Sequence, residues 1–237
     1  MKKRIWELDA LRGLCVIGMV GVHFVYDFAV AYRVVSWQLP LWFNLLQRWG
    51  GVLFLLISGI SATLGRRSFH RGVVVFGCGL LITAVTAAMY LVNMAGAAII
   101  IYFGVLQCLG ACMMLWPLFK RLPLWALAGL GLSMVIFGLW LNTQPPIDGW
   151  WLVPFGLPSK AFASADYFPL LPNLGFFLLG GVLGRTLYRK KESLLPRVNP
   201  NAAALRFLQW WGKRSLIIYL VHQPILAAIC VLLSRLS

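Results

Sequence analysis

The chain has 237 residues, 61% hydrophobic and 11% charged, where an ordinary soluble domain is about 45–50% apolar and about 25% charged. With a mean hydropathy of +0.83, this composition excludes a soluble globular protein and reads as an all-α, polytopic membrane helix bundle forming a single domain over 1–237. The net charge of +15 would suggest nucleic acid as the partner of a soluble protein. Here the basic residues lie between apolar segments, so they act as topology signals, and the expected partner is the lipid bilayer rather than nucleic acid.

The apolar runs predict about seven transmembrane helices, at about 10–32, 48–65, 72–93, 97–118, 124–142, 169–188 and 215–236, each near the ~20 residues a bilayer core requires. The opening Met1-Lys-Lys-Arg followed by an apolar run resembles a secretory signal. Glu7 and Asp9 in the would-be basic region, and His23 and Asp27 in the apolar one, argue instead for an uncleaved first span. The aromatic, partly polar stretch from Ser36 to Gln47 is expected at the membrane interface or as a re-entrant segment. A second interfacial helix is expected over Leu205 to Arg214, leading into the last span.

Orientation follows from the Lys/Arg bias. With the N-terminus in the cytoplasm, only Arg33, Arg48, Lys160 and Arg235 of the 21 Lys and Arg residues fall outside. Seven crossings then leave the C-terminus outside. The longest outer loop, about 143–168, carries Pro145-Pro146, Trp150-Trp151, Lys160 and Asp166. The basic turn Arg66-Arg-Ser-Phe-His-Arg71 is expected to meet solvent or lipid headgroups on the inner side, with the phosphates of a nucleotide-bearing cofactor as the alternative partner.

Five cysteines, most of them well inside spans, argue against a disulfide framework. Cys108 and Cys112 lack the second pair a zinc site requires, so packing is the expectation and no metal is assigned.

Ionisable groups inside spans carry the functional signal, because each costs roughly 2.5–3.5 kcal/mol in charged form at the middle of a membrane helix. His23 and Asp27 are four residues apart in the first span, so they share a helix face. Asp9 and Arg12 fall on the same stripe, within about 60° at 100° per residue. His23 lies about 16 Å beyond Arg12 along the axis, near the middle of a core about 30 Å thick. A neighbouring carboxylate can fix the imidazole tautomer.

The last span holds His222-Gln223-Pro224, whose proline frees a backbone carbonyl one turn earlier. Gln107 sits near the middle of the fourth span. His23, Gln107 and His222 are therefore expected at similar depth, lining one pocket. Interhelical hydrogen bonding uses the same residue types. Spacing alone thus leaves open a reactive site, a proton relay and a packing contact. Gly180 and Gly184 form a small-xxx-small pair, and Ser58, Gly59 and Ser61 thin the second helix for close approach.

Six motifs in order carry a resemblance over nearly the whole chain. They are Arg4-x-x-x-Leu8-Asp-Ala-Leu-Arg-Gly13, His23-x-x-Tyr-Asp27, Phe54-Leu-Leu-Ile-Ser-Gly59, Phe103-Gly-Val-Leu, Asp166-Tyr-Phe-Pro-Leu-Leu-Pro172 and Gly212-x-x-Ser-Leu-x-Ile-Tyr-Leu-x-His-Gln-Pro224. Together they resemble bacterial proteins related to heparan-α-glucosaminide N-acetyltransferase. The opening Leu-Asp-x-Leu-Arg-Gly is also similar to membrane O-acyltransferases that modify surface glycans.

The resemblance implies an enzyme of the bacterial inner membrane that uses acetyl-CoA from the cytoplasm as donor and a glycan or amino sugar as acceptor. It implies His23 and Asp27 as the catalytic pair, with His23 as base or acetyl carrier. Asp9, Arg12, Tyr26, Gln107, Asp166, His222 and Gln223 would contribute to substrate binding. Relatives often carry His where this chain has Gln107, and Gln cannot shuttle protons at neutral pH. A homodimer is among the assemblies the resemblance allows. The competing expectation is a proton-coupled transporter or exporter of a small polar or lipid-linked molecule, although no internal repeat of the kind common in such proteins is visible.

Overall fold

The computed structural model describes residues 4–31, 40–147 and 149–234, with Val30, Ala31, Asn44 and Arg48 described by backbone alone. The helices are α1 (Trp6–Tyr26), α2 (Leu41–Leu64), α3 (Ser68–Leu91), α4 (Val105–Phe119), α5 (Leu124–Leu141), α6 (Leu170–Leu187), α7 (Ala203–Lys213) and α8 (Ser215–Ser234). Extended pairing among the described residues is confined to an isolated bridge between Phe103 and Tyr167. Six helices are long and apolar enough to cross a membrane: α1 extended to Ala29, α2, α3, α5, α6 and α8.

The fourth expected span is shorter than its apolar run suggests. Helix α4 has 15 residues, about 22 Å at 1.5 Å per residue. Residues 97–99 form a 3-10 turn, and Phe103 pairs with the 166–168 segment through a Phe168 N–H to Phe103 carbonyl bond of 2.9 Å. Non-helical backbone is tolerated at membrane depth where protein groups satisfy it, and apolar composition does not register the break. The expected interfacial stretch is also revised. From Leu41 onward it forms the first turns of α2 and runs directly into the span, while its part up to residue 39 lies outside the described residues.

The chain divides into two compact units, Met1–Phe54 with Lys191–Ser237, and Leu55–Lys190. Helix α2 contributes its first half to one and its second half to the other.

In the first unit α7 crosses α1 at two glycines. A Cβ on Gly13 would overlap the Leu208 carbonyl oxygen, and one on Gly212 would overlap the Asp9 carbonyl oxygen. Backbones can approach this closely only without side chains, and such small-residue crossings stabilise helix contacts where no hydrophobic driving force acts between helices. After Arg214 the chain enters α8, which runs beside α1 in the same direction. His222 stands against His23, and the next residue, Gln223, reaches Asp27.

In the second unit the same device recurs. Gly72 on α3 packs against Gly110 and Met114 of α4, Gly175 on α6 against Gly131 of α5, and Gly59 on α2 against the Phe177 carbonyl. The expected pair Gly180 and Gly184 meets Leu56 and Thr63 of α2. Helix α5 begins directly after Pro123, where a missing N–H costs no helical bond; in α6 Leu171 has non-helical backbone angles, so the regular helix starts at Pro172. Arg185 in the last turn of α6 donates to the carbonyls of Leu122 (2.7 Å) and Lys120, tying down the α4–α5 turn. Arg66, Arg67, His70 and Arg71 are all exposed in the α2–α3 turn.

Candidate active site

The first unit brings two histidines together. The rings of His23 and His222 stand edge to face, with centroids 5.0 Å apart and planes at 79°. Each ring turns back onto its own helix: His23 Nδ1 lies 2.9 Å from the Met19 carbonyl oxygen, and His222 Nδ1 lies 2.7 Å from that of Tyr219. Side chains on a helix lean toward its N-terminus, which makes these upstream carbonyls the natural partners. A carbonyl can only accept, so Nδ1 carries the proton in both rings. In its neutral form each ring then presents a lone pair at Nε2. That atom of His222 is buried and has no hydrogen-bond partner among the described residues. An unsatisfied buried acceptor costs about 1–3 kcal/mol, so a chain that retains one has a use to be sought for it.

The tautomer of His23 is thus set by Met19 rather than by Asp27. The carboxylate has a different partner: Asp27 Oδ2 accepts a 2.9 Å hydrogen bond from Gln223 Nε2. Asp27 still interacts electrostatically with His23. It is 4% exposed and begins a π-helical turn, Asp27–Ala31. Such turns locally widen a helix and are frequent at functional sites. Tyr26, one residue earlier, is exposed at 42% and is not part of this cluster.

Asp9 and Arg12 form a second polar group near the start of α1. Asp9 is buried, and its carboxylate accepts from Arg12 Nη1 at 3.1 Å and pairs with Arg4 Nε at 3.4 Å. Negative charge in the first turn also complements the helix dipole. Glu7 joins them, a residue that sequence reasoning used only against a cleaved signal. It is buried, and its Oε1 accepts 2.8 Å from the Leu194 N–H, pinning the segment before α7 to α1. Nothing in the sequence marks so distant a backbone partner.

Gln107 and Asp166 belong to the second unit and converge on the N-terminus of α4. Gln107 is 2% exposed. Its Oε1 accepts from the Gly104 N–H at 3.0 Å, and its Nε2 donates to the Gly79 carbonyl at 3.0 Å and to Thr83 Oγ1 at 2.8 Å. Asp166 Oδ2 accepts from the Val105 N–H at 2.9 Å. Two N–H groups that a helix start leaves unsatisfied therefore find side-chain acceptors. In the adjoining loop the Tyr167 hydroxyl donates to the Val153 carbonyl at 2.7 Å. Tyr102, Trp150, Phe162 and Tyr167 form a ring cluster there, with centroids 4.9–6.2 Å apart.

Six apolar helices of spanning length, with a half-buried His23, a buried His222 and a buried carboxylate between two of them, define a multi-pass membrane protein with a polar intramembrane centre. The catalytic-domain model of heparan-alpha-glucosaminide N-acetyltransferase matches residues 4–224, and the chain belongs to that family. It is thus an acetyltransferase-type membrane enzyme. Comparison with curated proteins and with solved structures gives no significant match.

Proposed function

We propose that this protein transfers an acetyl group from cytoplasmic acetyl-CoA to an amino-sugar or related glycan acceptor across the bacterial inner membrane, with His23 as the acetyl carrier. The observation that carries the reading is the 2.9 Å contact of His23 Nδ1 with the Met19 carbonyl oxygen, which assigns the proton to Nδ1. With Nδ1–H held by the Met19 carbonyl, Nε2 is a lone-pair nucleophile of the kind covalent catalysis requires. Attack of Nε2 on the thioester carbonyl forms a C–N bond, breaks the C–S bond and releases coenzyme A thiolate. Because Nδ1 keeps its proton, the product is a cationic acetyl-imidazolium, an activated acyl donor. The Asp27 carboxylate, electrostatically coupled to the ring, offsets that charge where solvent cannot. Gln223 holds the carboxylate in place. Asp9 and Arg12 lie at the cytoplasmic mouth of the same helix.

The test is radiolabelled acetyl-CoA with purified protein in proteoliposomes, wild type beside His23→Ala. Label should pass to the wild-type protein and then to glucosamine, and neither should occur in the variant. Full transfer by His23→Ala would overturn the assignment. Flux driven by a pH gradient with no acetyl-CoA consumed would identify a proton-coupled transporter instead.

A further inference from the structure

We propose that His222 is the base that removes the acceptor's proton in the second half of the transfer; this rests on His23 being the acetyl carrier. Once acetylated, His23 has no lone pair to offer. Its Nε2 is bonded to the acetyl carbon, and its Nδ1–H is spent on the Met19 carbonyl. When the acceptor's free amine attacks the acetyl carbonyl carbon, a C–N bond forms and the bond to His23 Nε2 breaks, its electron pair returning to the ring. The acceptor nitrogen then carries one proton too many, and a group beside His23 must take it.

Asp27 accepts from the Gln223 amide at Oδ2, and its role in this scheme is the negative charge that offsets the acetyl-imidazolium. His222 stands edge to face with His23 at 5.0 Å, and its Nδ1–H is likewise fixed, on the Tyr219 carbonyl. The remaining Nε2 lone pair is buried and, among the described residues, without a partner. A neutral imidazole nitrogen held in this state accepts a proton without first breaking another bond. The imidazolium afterwards passes it to solvent, matching the proton that the coenzyme A thiolate took up, so the sum is thioester plus amine giving amide plus thiol. Exposure separates the two roles: His23 is half-buried and must meet both substrates, whereas His222 is 7% exposed and needs only to come within hydrogen-bond reach of the acceptor nitrogen, directly or through one water.

Single-turnover measurements on the full-length protein separate the half-reactions. In His222→Asn the side-chain amide can still donate to the Tyr219 carbonyl, but the proton acceptor is gone. His222→Gln, also without a base, serves as the second variant. Labelling of the protein by radiolabelled acetyl-CoA should keep its rate within about twofold, while transfer of the label to glucosamine should fall about 100-fold or more, the range of general-base catalysis. Acetylated protein should therefore accumulate in both variants. Transfer at the wild-type rate, or an equal slowing of both half-reactions, would overturn the role of His222. If the wild-type protein takes no label at all, the carrier assignment itself fails and the inference falls with it.

Discussion

Asp27 and Gln223 lie 196 positions apart in the chain and share a 2.9 Å hydrogen bond between α1 and α8. Together with the ring contact itself, it holds His23 and His222 at a common level. Hydrogen bonds between membrane helices contribute about 0.6 kcal/mol on average and up to about 1.7 kcal/mol. A double-mutant cycle with Asp27→Asn and Gln223→Leu should give a coupling near the upper end, about 1–1.7 kcal/mol in unfolding free energy in mixed micelles, because the acceptor is a buried carboxylate. Strictly additive single effects would show that the bond contributes nothing.

Glycines in α1 divide into two kinds. Gly13 has the Leu208 carbonyl and the Gly212 backbone where its Cβ would be, whereas Gly18 and Gly21 have nothing within 4 Å. Gly13→Ala and Gly212→Ala should each destabilise the protein by about 1–3 kcal/mol, the usual range for overpacking, and broaden its elution from a sizing column. Gly18→Ala should be neutral or slightly stabilising, since Ala is the better helix former. Equal behaviour of the two kinds would refute the α1–α7 crossing.

The start of α4 depends on two side chains. Gln107→Leu strands the Gly104 N–H and removes both donors to α3, so a loss of about 1–3 kcal/mol is expected, the cost of leaving a buried group unsatisfied. Gln107→His can replace at most part of a three-bond arrangement and should fall between. Asp166→Ala should cost about 0.5–2 kcal/mol as a lost cap, and Asp166→Asn less, since it keeps an acceptor. Thermal melts in detergent check the order.

Tyr167 lies in the loop before α6, and burial pushes its phenol up to about 12 from the ordinary 10. A folded-state value above the unfolded one means that the neutral phenol is the form the fold favours. Its contribution is fully present below pH about 10 and is lost as pH rises toward 12. Absorbance titration should show one phenolate appearing later than the exposed tyrosines, and Tyr167→Phe should remove that late step. A titration curve unchanged by the substitution would contradict the burial.

Much of the architecture was legible in the sequence because membrane spans are written in local composition. A run of about 20 apolar residues cannot remain in water, and a break in it shows when the breaker is polar. The start of α4 escaped for that reason. Residues 97–104 are as apolar as a span, and their departure from the helix is secured by the pairing of Phe103 with Tyr167 and by Asp166 and Gln107 at the new N-terminus. These partners include residues some 60 positions away, which no local pattern encodes.

For the site, helical periodicity alone put His23 and Asp27 on one face and marked His222 and Gln223 as polar groups in a second apolar helix. Residue identity within a span is enough for that, since ionisable groups in lipid are costly wherever they point. Which atoms meet was decided by the tertiary structure. The α1–α7 crossing and the course of α8 beside α1 set His222 against His23 and Gln223 against Asp27. The carbonyls of Met19 and Tyr219, not a carboxylate, fixed which ring nitrogens remain free. Every residue type has a backbone carbonyl, so its role as a hydrogen-bond partner leaves no trace in the sequence and exists only once the chain is folded.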